Sequence, residues 1–226
     1  MRRRSLALLF AAGALTACSP RNLGTPAAAA TARAAVGDDY WWFALQPDLD
    51  NGFGFTWVKG LTPPQVLRRI GGKELERIYW QQLVGSGDGQ SGSADRYFVG
   101  VARVDDWSLI VEDNSDLGVT DSIVRPLSAG TTVVAHHRGA DGHGRFLLLE
   151  DTEVQLDFDP MAYAKTSGKV SADLAPTLSA VGFAAGAKPA QCTAAALALT
   201  ERLTGIEMTQ DSLRDRTYLL TSVPRS

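Results

Sequence analysis

Cysteine is nearly absent: the 226-residue chain holds two, Cys18 and Cys192. With the Cys18 thiol taken by a lipid, as the N-terminal segment leads one to expect, Cys192 has no partner, and a disulfide framework is excluded. Histidine is scarce as well, with His136, His137 and His143 the full complement. Excess positive charge is missing, since the formal net charge is −3. That removes the clustered Lys and Arg that nucleic-acid binding requires, so no nucleic-acid partner is expected. No apolar run approaches the roughly 20 residues of a membrane-crossing helix. A Ser nucleophile elbow, a phosphate loop, H-E-x-x-H and C-x-x-C are all lacking. No catalytic, cofactor-binding or metal-ligating residue is therefore assigned, and no cofactor is expected. What is present is a globular composition, 45% hydrophobic and 21% charged, at a length suited to one domain.

The N-terminus is the most explicit segment. Arg2-Arg3-Arg4 forms a positive region, and Leu6 to Ala17 is an apolar stretch of about a dozen residues, the length of a signal h-region. Leu15-Thr16-Ala17-Cys18 then resembles the lipobox of bacterial lipoproteins, in which the chain is cut before the Cys and its thiol takes a diacylglycerol. The expectation is cleavage between Ala17 and Cys18, lipidation of Cys18, with palmitate among its acyl chains, and attachment to the extracytoplasmic face of the cell membrane. Arg3-Arg4-Ser5-Leu6 loosely resembles a twin-arginine export signal. Loss of residues 1–17 removes three arginines and no acid, taking the net charge from −3 to −6. Attachment must then come from the lipid, because no polybasic patch assists it. Residues 18–37, rich in Ala, Pro and Thr, read as a flexible tether, and residues 38–226 as a single domain.

The composition changes abruptly at Gly37. Tyr40-Trp41-Trp42-Phe43 is an aromatic cluster, and Phe53, Phe55 and Trp57 recur at period two, the pattern of a half-buried strand. Leu61 to Gly72 carries a complete short helix, with Thr62 at the N-cap, Pro63 at the first position and Gly71 at the stop. Residues 85–94 form a loop whose Gly87-Asp88-Gly89-Gln90-Ser91-Gly92 is formally G-x-G-x-x-G. The strand-like Arg96 to Ala102 that follows it rules out the helix a dinucleotide site needs. Tyr97–Val104 and Trp107–Glu112 flank an Asp105-Asp106 turn, with Trp107, Leu109 and Val111 on one face. Thr120–Leu127 reads as a helix and Thr131–His136 as a strand. Arg145–Glu150 and Glu153–Phe158 form a second hairpin around Asp151-Thr152. Leu174, Leu178 and Val181, then Ala194 to Leu203, follow helical spacing, the second helix being stopped by Gly205, and a third short helix starts near Thr209. The fold class expected is α+β: an antiparallel sheet with helices packed on one face and a helical C-terminal third.

Several clusters are candidates for chemistry. His136 and His137 are adjacent on a strand and point to opposite faces, so they do not share one metal; surface histidines are expected. Asp48-Leu49-Asp50 starts like a calcium loop but lacks the later ligands. Glu112 and Asp113, in the run Glu112 to Asp116, are a candidate acid–base pair for a hydrolase, set against a plain polar turn. Asp157 and Asp159 flank Phe158 as simple surface charges. Cys192, in an Ala-rich helical stretch, reads as a buried apolar residue.

Asp39-Tyr40-x-Trp42-Phe43, Thr56 to Pro63, Trp107 to Asn114, Leu127 to Thr131 and Leu203-Thr204-Gly205-Ile206 together resemble, in order and spacing, an actinobacterial domain-of-unknown-function family (DUF6461-like), here with a lipoprotein signal peptide. The resemblance spans nearly all of residues 38–224. It implies an actinobacterial source and one intact domain, and it brings no activity, cofactor or site residue. Asn114 is followed by Ser115 where the family's turn has Gly, and His136-His137-Arg138 stands where the family carries Asn. The function expected is a non-catalytic binding or interaction domain, attached to the membrane through a lipid and open to a protein partner. The alternatives are an immunity-type protein that neutralises a toxin and a hydrolase using Glu112 and Asp113.

Overall fold

The computed structural model describes residues 33–49, 51–85, 95–165, 169–170, 174–184 and 186–225. The signal segment, Cys18, most of the tether and the Gly87–Gly92 run lie outside the described residues. Ala35 is already buried in the core, and its carbonyl accepts a bond of 2.7 Å from Arg202 Nε.

Among the described residues the strands are β1 (Gly52–Lys59), β2 (Lys73–Tyr79), β3 (Arg96–Val104), β4 (Trp107–Asp113), β5 (Thr132–Gly139), β6 (Gly144–Glu150), β7 (Glu153–Phe158), β8 (Lys169–Val170) and β9 (Thr217–Pro224). They form one antiparallel sheet in the order β2-β9-β3-β4-β1-β5-β6-β7-β8. The helices are α1 (Pro63–Arg69), α2 (Trp80–Leu83), α3 (Asp121–Leu127), α4 (Ala175–Val181), α5 (Pro189–Thr204) and α6 (Gln210–Arg214). Segments Gly37–Leu45, Pro47–Leu49 and Leu117–Val119 are 3-10 helices.

Local chemistry explains much of this. Asp105, Asp151 and Thr152 adopt left-handed backbone at the two hairpin turns, which matches the right-handed twist of the strands they join. At α1 the Thr62 N–H donates to Gln65 Oε1 at 2.8 Å, and Pro63 fills a position that needs no N–H donor. Helix α5 ends where Gly205, at φ 73°, donates its N–H to Glu201 O.

The alternation read from the sequence holds in the centre of the sheet. Phe53, Phe55 and Trp57 of β1 share a face with Trp107, Leu109 and Val111 of β4, in register Phe55 to Val111 and Trp57 to Leu109. That face packs against the 3-10 helix Gly37–Leu45 and α5. Nine consecutive residues of α5, Cys192 to Thr200, are buried, and its run of alanines allows close approach to the sheet.

Helices do not lie on one face only. Val58, Val101, Ile110, Val133 and Leu147 project from the opposite face and are covered by Val66 and Leu67 of α1 and Ile123, Val124 and Leu127 of α3. The physical reason is that β1 and β4 carry large apolar residues on both sides, so both sides must be removed from water. The C-terminal third is not wholly helical either. It holds α4, α5 and α6, but it ends in β9, inserted between β2 and β3. Tyr218 to Val223 is buried throughout, and such a two-sided strand shows no alternation to read.

Trp107 is 5% exposed and belongs to the main core. Trp107→Ala is expected to cost about 3–5 kcal/mol, a large part of the roughly 5–15 kcal/mol available to a domain. Urea denaturation should show a lower midpoint at unchanged slope. A wild-type midpoint would mean that the indole contributes no buried area.

Candidate functional site

The acid–base pair proposed from the sequence is not brought together. Glu112 and Asp113 are adjacent on β4 and leave the sheet on opposite faces. Glu112, on the α1–α3 face, is 1% exposed. Its Oε2 accepts from Ser115 Oγ at 2.6 Å and Leu117 N–H at 2.7 Å, and its Oε1 from Gly118 N–H at 2.8 Å. These bonds tie the 114–120 connection to the sheet. The approach is tight enough to demand glycine: a Cβ at Gly118 would fall 1.8 Å from Thr56 Oγ1, and one at Gly54 would fall 2.9 Å from Glu112 Oε1. Burial raises the Glu112 carboxyl to about 7, against the pull of Ser115, Gly118 and Leu117. Asp113, on the α5 face, accepts from Gly85 N–H at 2.8 Å. Both carboxylates are structural connectors.

His136 corrects the expectation of surface histidines. It is 1% exposed, its ring 5.1 Å from that of Phe53 and 5.9 Å from that of Phe146. The cause is the central place of β5, between β1 and β6, with both faces covered. Neither ring nitrogen of His136 has a hydrogen-bond partner, and burial pushes its pKa down to about 3, helped by His137 and Arg138. His137 takes the opposite face and is partly buried, while His143 is exposed near Asp159. Among the described residues no group of three or more His, Cys, Asp or Glu is arranged to hold a metal.

The remaining candidates have structural partners. Asp157 pairs with Arg145 at 2.8 Å, and Asp159 Oδ1 accepts from the Gly144 and Met161 N–H groups. Asp48 lies 3.7 Å from Arg214, and Asp50 is outside the described residues. Cys192 is buried as expected, and burial raises its thiol pKa. Of the aromatic cluster, Tyr40 and Phe43 are buried, whereas Trp41 is 42% exposed. The Tyr40 hydroxyl donates to Glu201 Oε2 at 2.7 Å and accepts from Met208 N–H. Among the described residues no helix is long and apolar enough to cross a membrane.

Sequence reasoning passed over a cavity of about 260 Å³ at the start of α5. Phe43, Leu49, Arg138, Pro189, Ala190 and Thr193 line it. Arg138 Nη2 donates to Leu49 O at 3.0 Å, and its guanidinium sits 5.1 Å over the Phe53 ring. Thr193 is 3% exposed, and its Oγ1 has no hydrogen-bond partner. No local pattern joins these residues, because β5, α5 and the 3-10 segments meet only in the fold.

Residues 33–226 match DUF6461, a family of unknown function. The chain belongs to that family. No curated protein and no solved structure matches it. Membership leaves the chemistry to be read from the site.

Two buried groups give opposite pH dependences. His136 is held far below its unfolded value near 6.5, so its stability is complete above that pH and is lost as pH falls towards 3. Glu112 is held above its unfolded value near 4.5, so its protonation favours the fold, and that advantage is lost as pH rises from 4.5 to about 7. His136→Leu should therefore gain stability relative to wild type between pH 6.5 and 4.5, by about 1.4 kcal/mol per pH unit. Glu112→Gln should lose relative stability over the same window. Denaturant unfolding at several pH values measures both, and parallel curves would show that neither group is held as described.

Proposed function

We propose that the chain is a lipid-anchored binding protein of the cell envelope, in an actinobacterium. In this reading Cys18 carries the lipid, residues 18–37 tether the family domain at the extracytoplasmic face, and the domain holds a ligand without transforming it. The observation that carries the anchor is the sequence from Arg2 to Cys18: a basic start, a short apolar stretch and Leu15-Thr16-Ala17-Cys18 in that order. Support for binding over hydrolysis comes from the division of labour among the buried groups. Glu112 is engaged by backbone amides and faces away from Asp113, whereas the cavity at α5 offers apolar walls with a few polar groups, the usual make-up of a small-molecule site.

Cys18→Ala is expected to release the protein from membranes or leave it as an uncleaved precursor, while the wild type partitions into detergent and takes up a palmitate label. A wild type that stays unlabelled and aqueous would overturn the anchor.

A further inference from the structure

We infer that the exposed side of the 3-10 helix Gly37–Leu45 lies on the bilayer that anchors the chain, with Trp41 and Leu45 entering its interfacial layer. The inference deepens the anchor reading above and rests on it. Large apolar side chains of this domain are mostly buried, yet Trp41 is 42% and Leu45 79% exposed. Positions three apart stack along a 3-10 helix, so the exposed Ala44 continues the edge that Trp41 begins, and Leu45 follows it. A cavity of about 160 Å³ carries the surface from Trp41 to Ala180 and Gly182, both exposed at the end of α4. Asp38 is the one charged residue among the described residues that line it. A contiguous exposed apolar patch marks an interaction surface.

The place where the N-terminal stretch joins the domain says what covers it. Val36 and Gly37 line the same cavity as Trp41. The chain is fixed there. Ala35 O accepts from Arg202 Nε, and Gly37 packs so closely that a Cβ on it would fall 3.0 Å from Val181 O. From Cys18 to Ala35 the chain reaches at most about 60 Å when fully extended. A lipid on Cys18 therefore keeps the domain beside the bilayer, and the entry point is the part of its surface held closest. Tethering turns docking into an intramolecular step, in which a contact too weak to hold a free protein suffices. Two side chains are then enough.

The chemistry of the patch suits a lipid interface. Tryptophan favours that layer because its ring is apolar and its N–H polar. Trp41 Nε1 donates to Asp38 Oδ1 at 3.2 Å, so the N–H keeps a partner as the ring leaves water. Asp39 accepts from the Val36 N–H at 2.9 Å. The two carboxylates beside the patch disfavour an anionic surface, so the contact is apolar and a phosphatidylcholine bilayer is the probe.

The full lipidated chain, reconstituted in phosphatidylcholine vesicles, carries a nitroxide on Leu45→Cys or, as a reference, on Arg68→Cys. Arg68 is exposed on α1, across the sheet. Cys192 is buried and Cys18 acylated, so neither takes the label. At position 45 the nitroxide is expected to lose collisions with a water-soluble nickel chelate and gain them with oxygen, while position 68 stays open to nickel. Trp41→Ser in the Leu45→Cys chain should return the probe to water, with palmitate labelling of Cys18 unchanged. Equal nickel access at 45 and 68 in palmitate-labelled, vesicle-held protein would overturn this inference and leave the anchor standing, as would a probe indifferent to Trp41→Ser. Spin–spin broadening at position 45 that needs no bilayer would give the face to a second copy of the chain and overturn it too. A wild type that takes no palmitate would overturn both readings.

Discussion

Everything in this fold follows from burying both faces of β1 and β4. Phe55 and Trp57 drive one side out of water, and Val58 and Ile110 drive the other. A sheet apolar on one side needs a single cover, but one apolar on both sides needs two. The chain supplies the second cover from the connections after β1 and β4, as α1 and α3, and the first from its N-terminal 3-10 helix and its C-terminal helices. The central strands therefore have no solvent face on which a polar residue can rest.

That constraint decides the meaning of the polar residues in the centre. Glu112 is buried, so its carboxylate must be bonded, and three donors from residues 115–118 converge on it. The same bonds hold the connection to α3 against the sheet, with Gly54 and Gly118 making room. A dense acidic run that reads as possible acid–base machinery is in fact the anchor of a crossover. His136 is subject to the same pressure and resolves it differently, by remaining neutral among aromatic rings.

Local features were legible in the sequence because they are set by nearby residues. The turns at Asp105 and Asp151, the start of α1 at Thr62 and Pro63, the end of α5 at Gly205 and the shared face of Trp107, Leu109 and Val111 all depend on a handful of neighbours. Features set by remote pairing were hidden. Strand β2, Lys-Glu-Leu-Glu-Arg-Ile-Tyr, buries only Ile78 and so has no clear face. Strand β9 is buried on both sides, and its register, Tyr97 with Val223, joins distant parts of the chain. A helix's sequence shows which of its own sides is apolar but not which side of the sheet receives it, and that is why α1 and α3 were placed with the rest. The cavity was illegible for the same reason. Its wall joins Phe43, Arg138 and Thr193, which are far apart in the sequence.

Buried polar groups in this protein thus fall into two kinds. Glu112 has its demands met from within the chain, and Ser115, Leu117 and Gly118 leave a ligand nothing to add. His136, Thr193 and the indole nitrogens of Trp57 and Trp80 have demands that are unmet. Within this second kind, surroundings decide. The His136 ring is packed against Phe53 and Phe146, so a guest would have to displace core aromatics to reach it. Thr193 lines a cavity, but its hydroxyl oxygen is itself enclosed, so a guest in the cavity does not reach it either. An unmet hydrogen bond destabilises a fold wherever it occurs, but only next to a cavity can a ligand relieve it. None of these unmet groups is therefore open to a partner, and the cavity at the start of α5, with Arg138 and Gln46 in its wall, has room for a guest where the acidic run of β4 has none.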